Sequence, residues 1–560
     1  MTSKRSETLT GAQIVVRLLE RQGVRTLAGI PGGAILPIYD ALSQSSTIHH
    51  VLARHEQGAG FIAQGMARAT GQVAVCLASS GPGATNLLTA IADAKLDSIP
   101  MVAITGQVPK SMIGTDAFQE VDTYGLSIPI TKHNFLVGSA EELLEAIPSA
   151  FRLAASGRPG PVLVDIPKDV QNQSVEVGEW PEPGAADPAP APGTDLIACA
   201  AEMINEAERP VLYLGGGVVH SGASGLAVAL AEKAGLPSVM TLMALGAMPV
   251  DHPLSLGMLG MHGARCTNFA LDECDLLIAV GARFDDRATG KVAAFCPLAK
   301  IIHIDIDPSE LDKIKTAHVG IAGDVKSVLE QLLPKVDIIL RKPWLSRVAD
   351  LKADYPLRMP GIDDPRSHYG LIRAVADCVD DEATITTDVG QHQMWVAQAY
   401  PLRRPRQWLT SGGLGTMGFG LPAAIGAALA EPQRTVVCFT GDGSILMNVQ
   451  EFATAAEEEA NVKVVLMNNA SLGLVFQQQT MFYGERIFAS KFRGMPDFIK
   501  VADGFGWQTL DLDQAGDPIT ALRAAISLPG PVLIHASIDM REQVLPMVAP
   551  GAANKDMIGG

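Results

Sequence analysis

The sequence predicts an α/β protein of three doubly wound, parallel-sheet domains. Length is the first reason, since 560 residues exceed what one hydrophobic core organises and suit about three domains. The second is alternation: short, continuously apolar runs, the form of strands buried on both faces, alternate with helix-length amphipathic stretches. The third is a repeat. PGPVL at 159–163 recurs at 529–533, each time after an amphipathic helix (EELLEAIPSAFRLAASG, 141–157; PITALRAAISL, 518–528), which marks the terminal domains as duplicates.

Taken in order, LAGIPGGAILPIYDAL (27–42), IHHVLARHEQGAGFIAQGMARA (48–69) and VAVCLASSGPGATNLLTAIADA (73–94) each read as strand, glycine-rich turn and helix. Gln173–Gly193, containing PEPGAADPAPAPG, reads as a Pro/Ala linker. VLYLGGG, PSVMTL, LLIAVGA and KIIHIDID form a central β/α series, and YPLRMPGIDDPRSH (355–368) is a second transition. The last part holds the strands TVVCFT (435–440) and VKVVLM (462–467). The helix expected between them places Ile445, Val449, Phe452 and Ala456 on one face. The expected domains are residues 1–172, 190–345 and 366–560.

Apolar residues make up 47% of the chain and charged residues 18%, so burying cores is easy. A formal net charge of −17 without a basic tract argues against nucleic acid or an anionic membrane as partner. The start MTSKRSETLTGAQ has no apolar signal region and no apolar stretch reaches spanning length, so a cytoplasmic protein is expected. The seven cysteines (76, 199, 266, 274, 296, 378, 438) include no C-x-x-C pair and sit mostly in apolar contexts. They read as reduced core residues, with spacing that suits neither a disulfide framework nor zinc.

TGDGS (440–444) reads as a metal-diphosphate site. The strand–helix–strand unit around it requires parallel neighbours with a right-handed crossover, so Asp442 and Asn469 emerge at one carboxyl edge and can meet at one ion. A carboxylate, an amide oxygen and a backbone carbonyl are hard donors suited to Mg²⁺. No Lys or Arg lies between Gln407 and Gln433, nor after Asn469 before Arg486, so metal would neutralise a diphosphate here; the G-x-x-x-x-G-K-[ST] of a P-loop is absent. Gly441-Asp442-Gly443, 24 intervening residues and Asn468-Asn469 resemble the thiamine diphosphate-binding motif. That resemblance implies Asp442, Asn469 and the carbonyl of Ser471 as Mg²⁺ ligands.

Glu56 stands where the second strand gives way to a helix whose start is crowded with Gly58, Ala59 and Gly60. By position it is a first-turn acid favoured by the helix dipole. A thiamine enzyme needs a carboxylate on the aminopyrimidine ring, and a partly apolar pocket helps a glutamate hold the required proton. In the central part, Gly215, Gly216 and Gly217 after VLYL permit close approach of a phosphate to a helix start, and Asp305 or Asp307 offers an acceptor for ribose hydroxyls. An empty, vestigial nucleotide fold is the alternative.

IPGGAILPIYDAL, HEQGAG, SSGPGATN, TGQVP, GTDAFQE, LGMHG, GARFDDR, DVGQHQMW, GTMGFGLPAAIGA and GDGS…NN occur in this order over nearly the whole chain. Together they resemble the catalytic subunit of the acetohydroxyacid (acetolactate) synthases. The resemblance implies a pyrimidine-binding domain, a central FAD-type domain and a diphosphate-binding domain, with the cofactor between the first domain of one subunit and the third of another. A homodimer or homotetramer and a small regulatory subunit are the partners implied.

Carried over by resemblance, Glu56, Gly33 and Gln119 are catalytic. Pro82, Asn86, Val389, Gly390, Gln391, His392, Gly415, Met417, Gly443, Ser444, Gly473 and Leu474 hold thiamine diphosphate, with Met417 bending it. Gly215, Gly216, Gly217, Thr241, Leu242, Met261, His262, Gly281, Arg283, Asp285, Asp305 and Asp324 hold FAD; LGMHG and GARFDDR resemble the FAD-retaining form. Phe118, Arg287 and Gln478 meet substrate, although unaided Phe118 reads as core, Arg287 as a surface ion pair and Gln478 as a surface residue. Gln478 replaces the Trp of most members, which lowers the expected preference for 2-oxobutanoate over pyruvate. The implied reaction decarboxylates pyruvate and joins the two-carbon unit to pyruvate or 2-oxobutanoate. Its rivals are a pyruvate oxidase, separable by flavin absorbance, and a silent nucleotide-binding regulator, separable by thiamine-dependent turnover.

Overall fold

The computed structural model describes residues 6–559 and contains three six-stranded, wholly parallel sheets. The stretch MTSKRSETLTGAQ begins with residues 1–5, outside the described ones. Among the described residues no helix is long and apolar enough to cross a membrane.

The first sheet runs His49–Leu52, Thr26–Gly29, Ala74–Ala78, Met101–Gln107, Pro161–Pro167, His133–Leu136. The third repeats that order: Trp408–Leu409, Thr384–Thr387, Val436–Gly441, Val462–Asn468, Val532–Ser537, Gln508–Asp511. Counted along the chain, each reads second, first, third, fourth, sixth, fifth. Both copies of PGPVL enter the same position in this order, so the sequence repeat occupies equivalent places in two equivalent sheets. The central sheet differs: Ser255–Met258, Ser238–Met240, Pro210–Leu214, Leu276–Val280, Lys300–Asp305, Val319–Ala322. This is the three-two-one-four-five-six order of dinucleotide-binding folds.

Open parallel sheets bind ligands beyond the carboxyl ends of their strands, where the strand order reverses. Those points fall between Thr26–Gly29 and Ala74–Ala78, between Pro210–Leu214 and Leu276–Val280, and between Thr384–Thr387 and Val436–Gly441. The first and third layers meet where helix Glu56–Thr70 crosses helix Gly420–Ala430. A Cβ on Gly65 would lie 2.1 Å from the Ala423 carbonyl oxygen, and one on Gly426 would lie 1.9 Å from that of Ile62. Only glycine permits so close a crossing.

Several elements depart from expectation. The helix expected after Gly-Asp-Gly is two pieces, Asp442–Ile445 and Glu451–Glu457. Between them the Asn448 side chain donates to the Gly418 carbonyl (2.7 Å) and accepts from Gln450 (2.9 Å), competing with continued helix. An unanticipated antiparallel pair joins Glu7–Thr10 to Ser174–Val177, so the chain stays with the first layer past residue 172. The Pro/Ala segment places Ala186, Asp187 and Ala189 on the wall of a central cavity. The chain end returns to the central domain: Val548 N donates to Met261 O (3.0 Å) and Asn554 Nδ2 to Ala288 O (2.8 Å). The seven cysteines are free thiols; Cys199 is exposed, Cys378 half-buried and the others buried.

Candidate active site

At the reversal point of the third sheet, strand Val436–Gly441 delivers Asp442 and strand Val462–Asn468 delivers Asn469. Asp442 Oδ1 accepts from Gly443 N (3.0 Å). Its Oδ2 and Asn469 Oδ1 accept from the same amide, Ser471 N, at 3.1 and 3.2 Å. Two hard oxygens therefore converge at the edge where the spacing predicted them. Burial pushes the Asp442 carboxyl up to about 6 against the pull of these amides, a cost that a cation beside it would remove.

The adjoining strand Thr384–Thr387 leads into Val389–His392. Asn469 Nδ2 donates to Gln391 Oε1 (3.0 Å), and Ser444 Oγ donates to Val389 O (2.9 Å). A Cβ on Gly473 would sit 2.0 Å from Gln391 Oε1, so a larger residue there would displace the Gln391 side chain. Gly390 approaches the His392 ring, and Gly415 (φ +69) faces the Val389 side chain. Met417 and Gly443 are half-buried beside them. His392 is buried, its pKa pushed down to about 3, and its Nε2 lacks a hydrogen-bond partner among the described residues. A neutral imidazole with an unmet polar atom, a glycine-lined turn and a hard-oxygen pair fit a metal-bound diphosphate.

The first sheet gathers a second cluster. Glu56 opens helix Glu56–Thr70 and accepts from Asn86 Nδ2 (2.9 Å). Gly81 (φ +57) lies under Gln119, whose carbonyl oxygen would be 2.7 Å from a Cβ there, and Pro82 follows it. Gly33 has open space around it. Phe118, which unaided reads as core, is 88% exposed on the same loop. The loop is pinned by Glu120, which accepts from the amides of Gly114, Thr115 and Ala117, and this lifts Phe118 off the body of the protein.

The third cluster is a cavity of about 690 Å³ at the central reversal point. Its wall includes Gly215, Gly216, Gly217, Thr241, Leu242, Met261, His262, Gly281, Arg283, Asp285, Asp305 and Asp324. Gly215 and Gly217 are explained locally by the Gly281 turn: a Cβ would meet Gly281 O at 2.0 Å in one case and Gly281 Cα at 2.7 Å in the other. The Thr241 hydroxyl is buried without a hydrogen-bond partner among the described residues. His262 donates from Nδ1 to Pro546 O (3.1 Å), and burial holds its pKa down near 4. Asp305 lines the cavity, whereas Asp307 faces Arg158 at 3.3 Å, so the two strand-end acids have different surroundings. A large crevice, closely apposed glycine turns and an unmet hydroxyl fit a dinucleotide.

Arg287, Gly415, Leu474 and Gln478 reach this cavity; Gly33, Glu56, Phe118 and Gln119 do not line it. Arg287 is largely exposed, 3.4 Å from Asp286. Sequence reasoning missed Asp388, which accepts from the amides of Val389, Gly418 and Gly420 and ties the 389–392 and 415–420 segments together. Its signal was an acid at the end of ATITTD. Also missed was a buried cluster of Arg68, Asp93 and Asp97, whose signal was two acids four residues apart on an apolar helix.

The fold and the paired clusters define a thiamine diphosphate-dependent enzyme. Family models for the thiamine pyrophosphate enzymes match three segments: the N-terminal TPP binding domain over 9–126, the central domain over 197–332 and the C-terminal TPP binding domain over 388–536. The chain is 63% identical over 558 residues to the acetolactate synthase isozyme 1 large subunit of Escherichia coli K12, covering 100% of this chain and 99% of the relative. It is 48% identical over 550 residues to the isozyme 2 large subunit of the same organism (98% and 99% covered). Identity to an acetolactate synthase large subunit of Corynebacterium glutamicum is 47% over 568 residues (98% and 90%). The chain belongs to the acetolactate synthase large subunits, and its activity is thiamine diphosphate-dependent acetolactate synthesis in branched-chain amino acid biosynthesis.

Proposed function

We propose that Asp442, Asn469 and the Ser471 carbonyl hold Mg²⁺, and through it the diphosphate of the cofactor. Val389–His392, Gly443, Ser444, Gly473 and Leu474 surround the diphosphate, with Gly415 and Met417 against the rings. The observation that carries this reading is the convergence of Asp442 Oδ2 and Asn469 Oδ1 on one amide, at 3.1 and 3.2 Å. When bound, thiamine diphosphate supplies a carbon acid that adds to a ketone and takes up the electrons left by departing carbon dioxide. The chain's part is to orient, to exclude water and to move protons. Glu56 holds the proton exchanged with the aminopyrimidine, fixed in place by Asn86.

The Glu56 cluster of one copy faces the Asp442 cluster of a second in this reading, making a homodimer or a pair of dimers the working unit. Support comes from apolar side chains exposed near both clusters: Leu36 and Phe118 in the first domain, and Leu414, Met447 and Val475 in the third. FAD occupies the central cavity as a structural group, because the reaction begins and ends at one oxidation level. Arg287 takes the carboxylate of the acceptor acid. Gln478 offers little apolar surface to the extra methyl of 2-oxobutanoate, so pyruvate serves at least as well as acceptor. Because the relatives are named as large subunits, a small partner subunit completes the assembly.

Calorimetry of thiamine diphosphate binding in the presence of Mg²⁺ tests the assignment. Asp442→Ala loses binding together with activity. Glu56→Gln binds the cofactor but exchanges its acidic proton slowly. Unchanged affinity in Asp442→Ala overturns the metal assignment.

A further inference from the structure

The loop that carries Gly415 and Met417 is held by its own domain mainly at its two ends. Residues 412–415 read Gly-Gly-Leu-Gly, and Leu414 is 42% exposed. Glycine gives a chain many conformations, and fixing it costs entropy. Its own domain holds the ends, where Gln393 Nε2 donates to Ser411 O (3.1 Å) and Gly418 N donates to Asp388 (2.8 Å); the anchors of the stretch between come from the first domain. Arg68 is buried, with its side chain 5% exposed, near the end of the helix that Glu56 begins. Its guanidinium donates to Asp93 (3.0 Å), Asp97 (2.8 Å), Gln64 Oε1 (2.7 Å) and the Thr410 carbonyl (2.9 Å), and lies 4.8 Å from the centre of the Phe419 ring.

Each carboxylate then reaches the loop. Asp93 Oδ2 accepts from the hydroxyls of Ser411 and Thr416 (2.8 Å for the latter). Asp97 accepts from Gly412 N (3.1 Å) and Gly413 N (2.7 Å), and Thr416 N donates to Ser411 Oγ (2.8 Å). A Cβ on Gly413 would lie 2.8 Å from Leu96 Cβ and 2.9 Å from Asp97 Oδ1, so the loop sits directly on the acids' helix. From Thr410 to Phe419 the segment is gripped at both ends and at four points between. One cation and two acids leave an excess negative charge, and burial together with Asp97 raises the Asp93 pKa against the pull of Arg68. Apolar side chains of similar volume would stabilise such a junction more cheaply. What the charged cluster adds is directional hydrogen bonding at fixed places.

We propose that Arg68 and Asp93 are positioning residues for the cofactor: acting through Ser411 and Thr416, they set where Gly415 and Met417 stand. This rests on the reading above that Met417 touches thiamine diphosphate. The test is a double-mutant cycle read in the thiamine diphosphate dissociation constant at saturating Mg²⁺, with thermal unfolding in parallel. Asp93→Asn and Ser411→Ala each weaken binding about tenfold, and the double variant binds little worse than the weaker single, far short of the roughly hundredfold of independent effects, because the Ser411–Asp93 bond is cut by both. Unchanged affinity in either single variant overturns the proposal, as does a double variant more than about threefold weaker than the weaker single. Should Asp93→Asn not fold, Thr416→Val leaves the charges intact; about tenfold weaker binding at an unaltered melting temperature supports the proposal, and unchanged binding overturns it. Met417→Ala separates the two readings. If it leaves affinity unchanged, the contact of Met417 with cofactor fails; if it weakens binding while Asp93→Asn and Ser411→Ala do not, only the positioning role fails.

Discussion

Gln478 and Gly473 lie five residues apart and do opposite things. Gln478 is an exposed side chain at the rim of the central cavity, so changing it alters what the cavity touches without disturbing a core. Under the proposed placement of the acceptor, replacing it with Trp adds an apolar face beside the extra methyl of 2-oxobutanoate. One such group is worth about 1–3 kcal/mol of discrimination, so Gln478→Trp moves the product ratio about tenfold or more towards 2-aceto-2-hydroxybutanoate when the two acceptors compete. An unchanged ratio removes Gln478 from the acceptor pocket. Gly473→Ala instead puts a methyl 2.0 Å from Gln391 Oε1 and 2.7 Å from Asn469 Nδ2. It breaks the Gln391–Asn469 bond, and the expected result is Mg²⁺-dependent cofactor binding weakened by more than tenfold with little change in melting temperature. Individual residues were unevenly legible in the sequence. Asp442 and Asn469 could be paired because a strand–helix–strand unit makes its two strands parallel, so both end at one edge of the sheet. From periodicity alone Phe118 could not be placed, since an aromatic exposed on a loop pinned by Glu120 has no periodic signature.

Elements were read best where the pattern was continuous and worst where side chains compete with the backbone. The strands Val436–Gly441 and Val462–Asn468 lie within a residue of expectation because both are buried apolar runs. The helix between them broke at Asn448, whose amide serves Gly418 rather than its own turn, a contact between distant segments that no local window contains. The helix crossing of Glu56–Thr70 with Gly420–Ala430 is equally non-local. Gly65→Ala would drive a Cβ to 2.1 Å from a backbone oxygen that cannot move alone, and overpacking of this kind costs about 1–3 kcal/mol or more. Thermal unfolding should show a lower melting temperature, whereas the same change at Gly225, with nothing within 4 Å, should not. Asp388 gives a pH signature. Burial raises its carboxyl to about 6, above the ordinary value of 3.8, so it favours the folded state fully below pH 4 and loses that contribution as pH rises through 6. Removing this titration in Asp388→Asn should flatten stability against pH between those limits, after the loss of its own hydrogen bonds is subtracted as a constant.

At the scale of the whole molecule, three parallel sheets place three clusters at three strand-order reversals, and the duplication seen in PGPVL supplies two of them. The strand order itself was not legible, because a crossover looks the same in sequence whichever side of the sheet it takes. If FAD occupies the central cavity in the structural role proposed above, its redox-dead 5-deaza analogue can replace it, and apoenzyme reconstituted with that analogue should recover carboligation. Failure of the bound analogue to restore carboligation would overturn the purely structural role proposed for the flavin. The central claim is that the two halves of each catalytic centre come from different copies of the chain. Mixing Glu56→Gln subunits with Asp442→Ala subunits tests it most directly. If the halves come from different copies, each mixed dimer contains one centre with neither defect, and random pairing restores about a quarter of wild-type acetolactate synthesis. If each chain builds its own centre, every centre in the mixture carries a defect, and activity that stays at the level of the separate variants contradicts the claim.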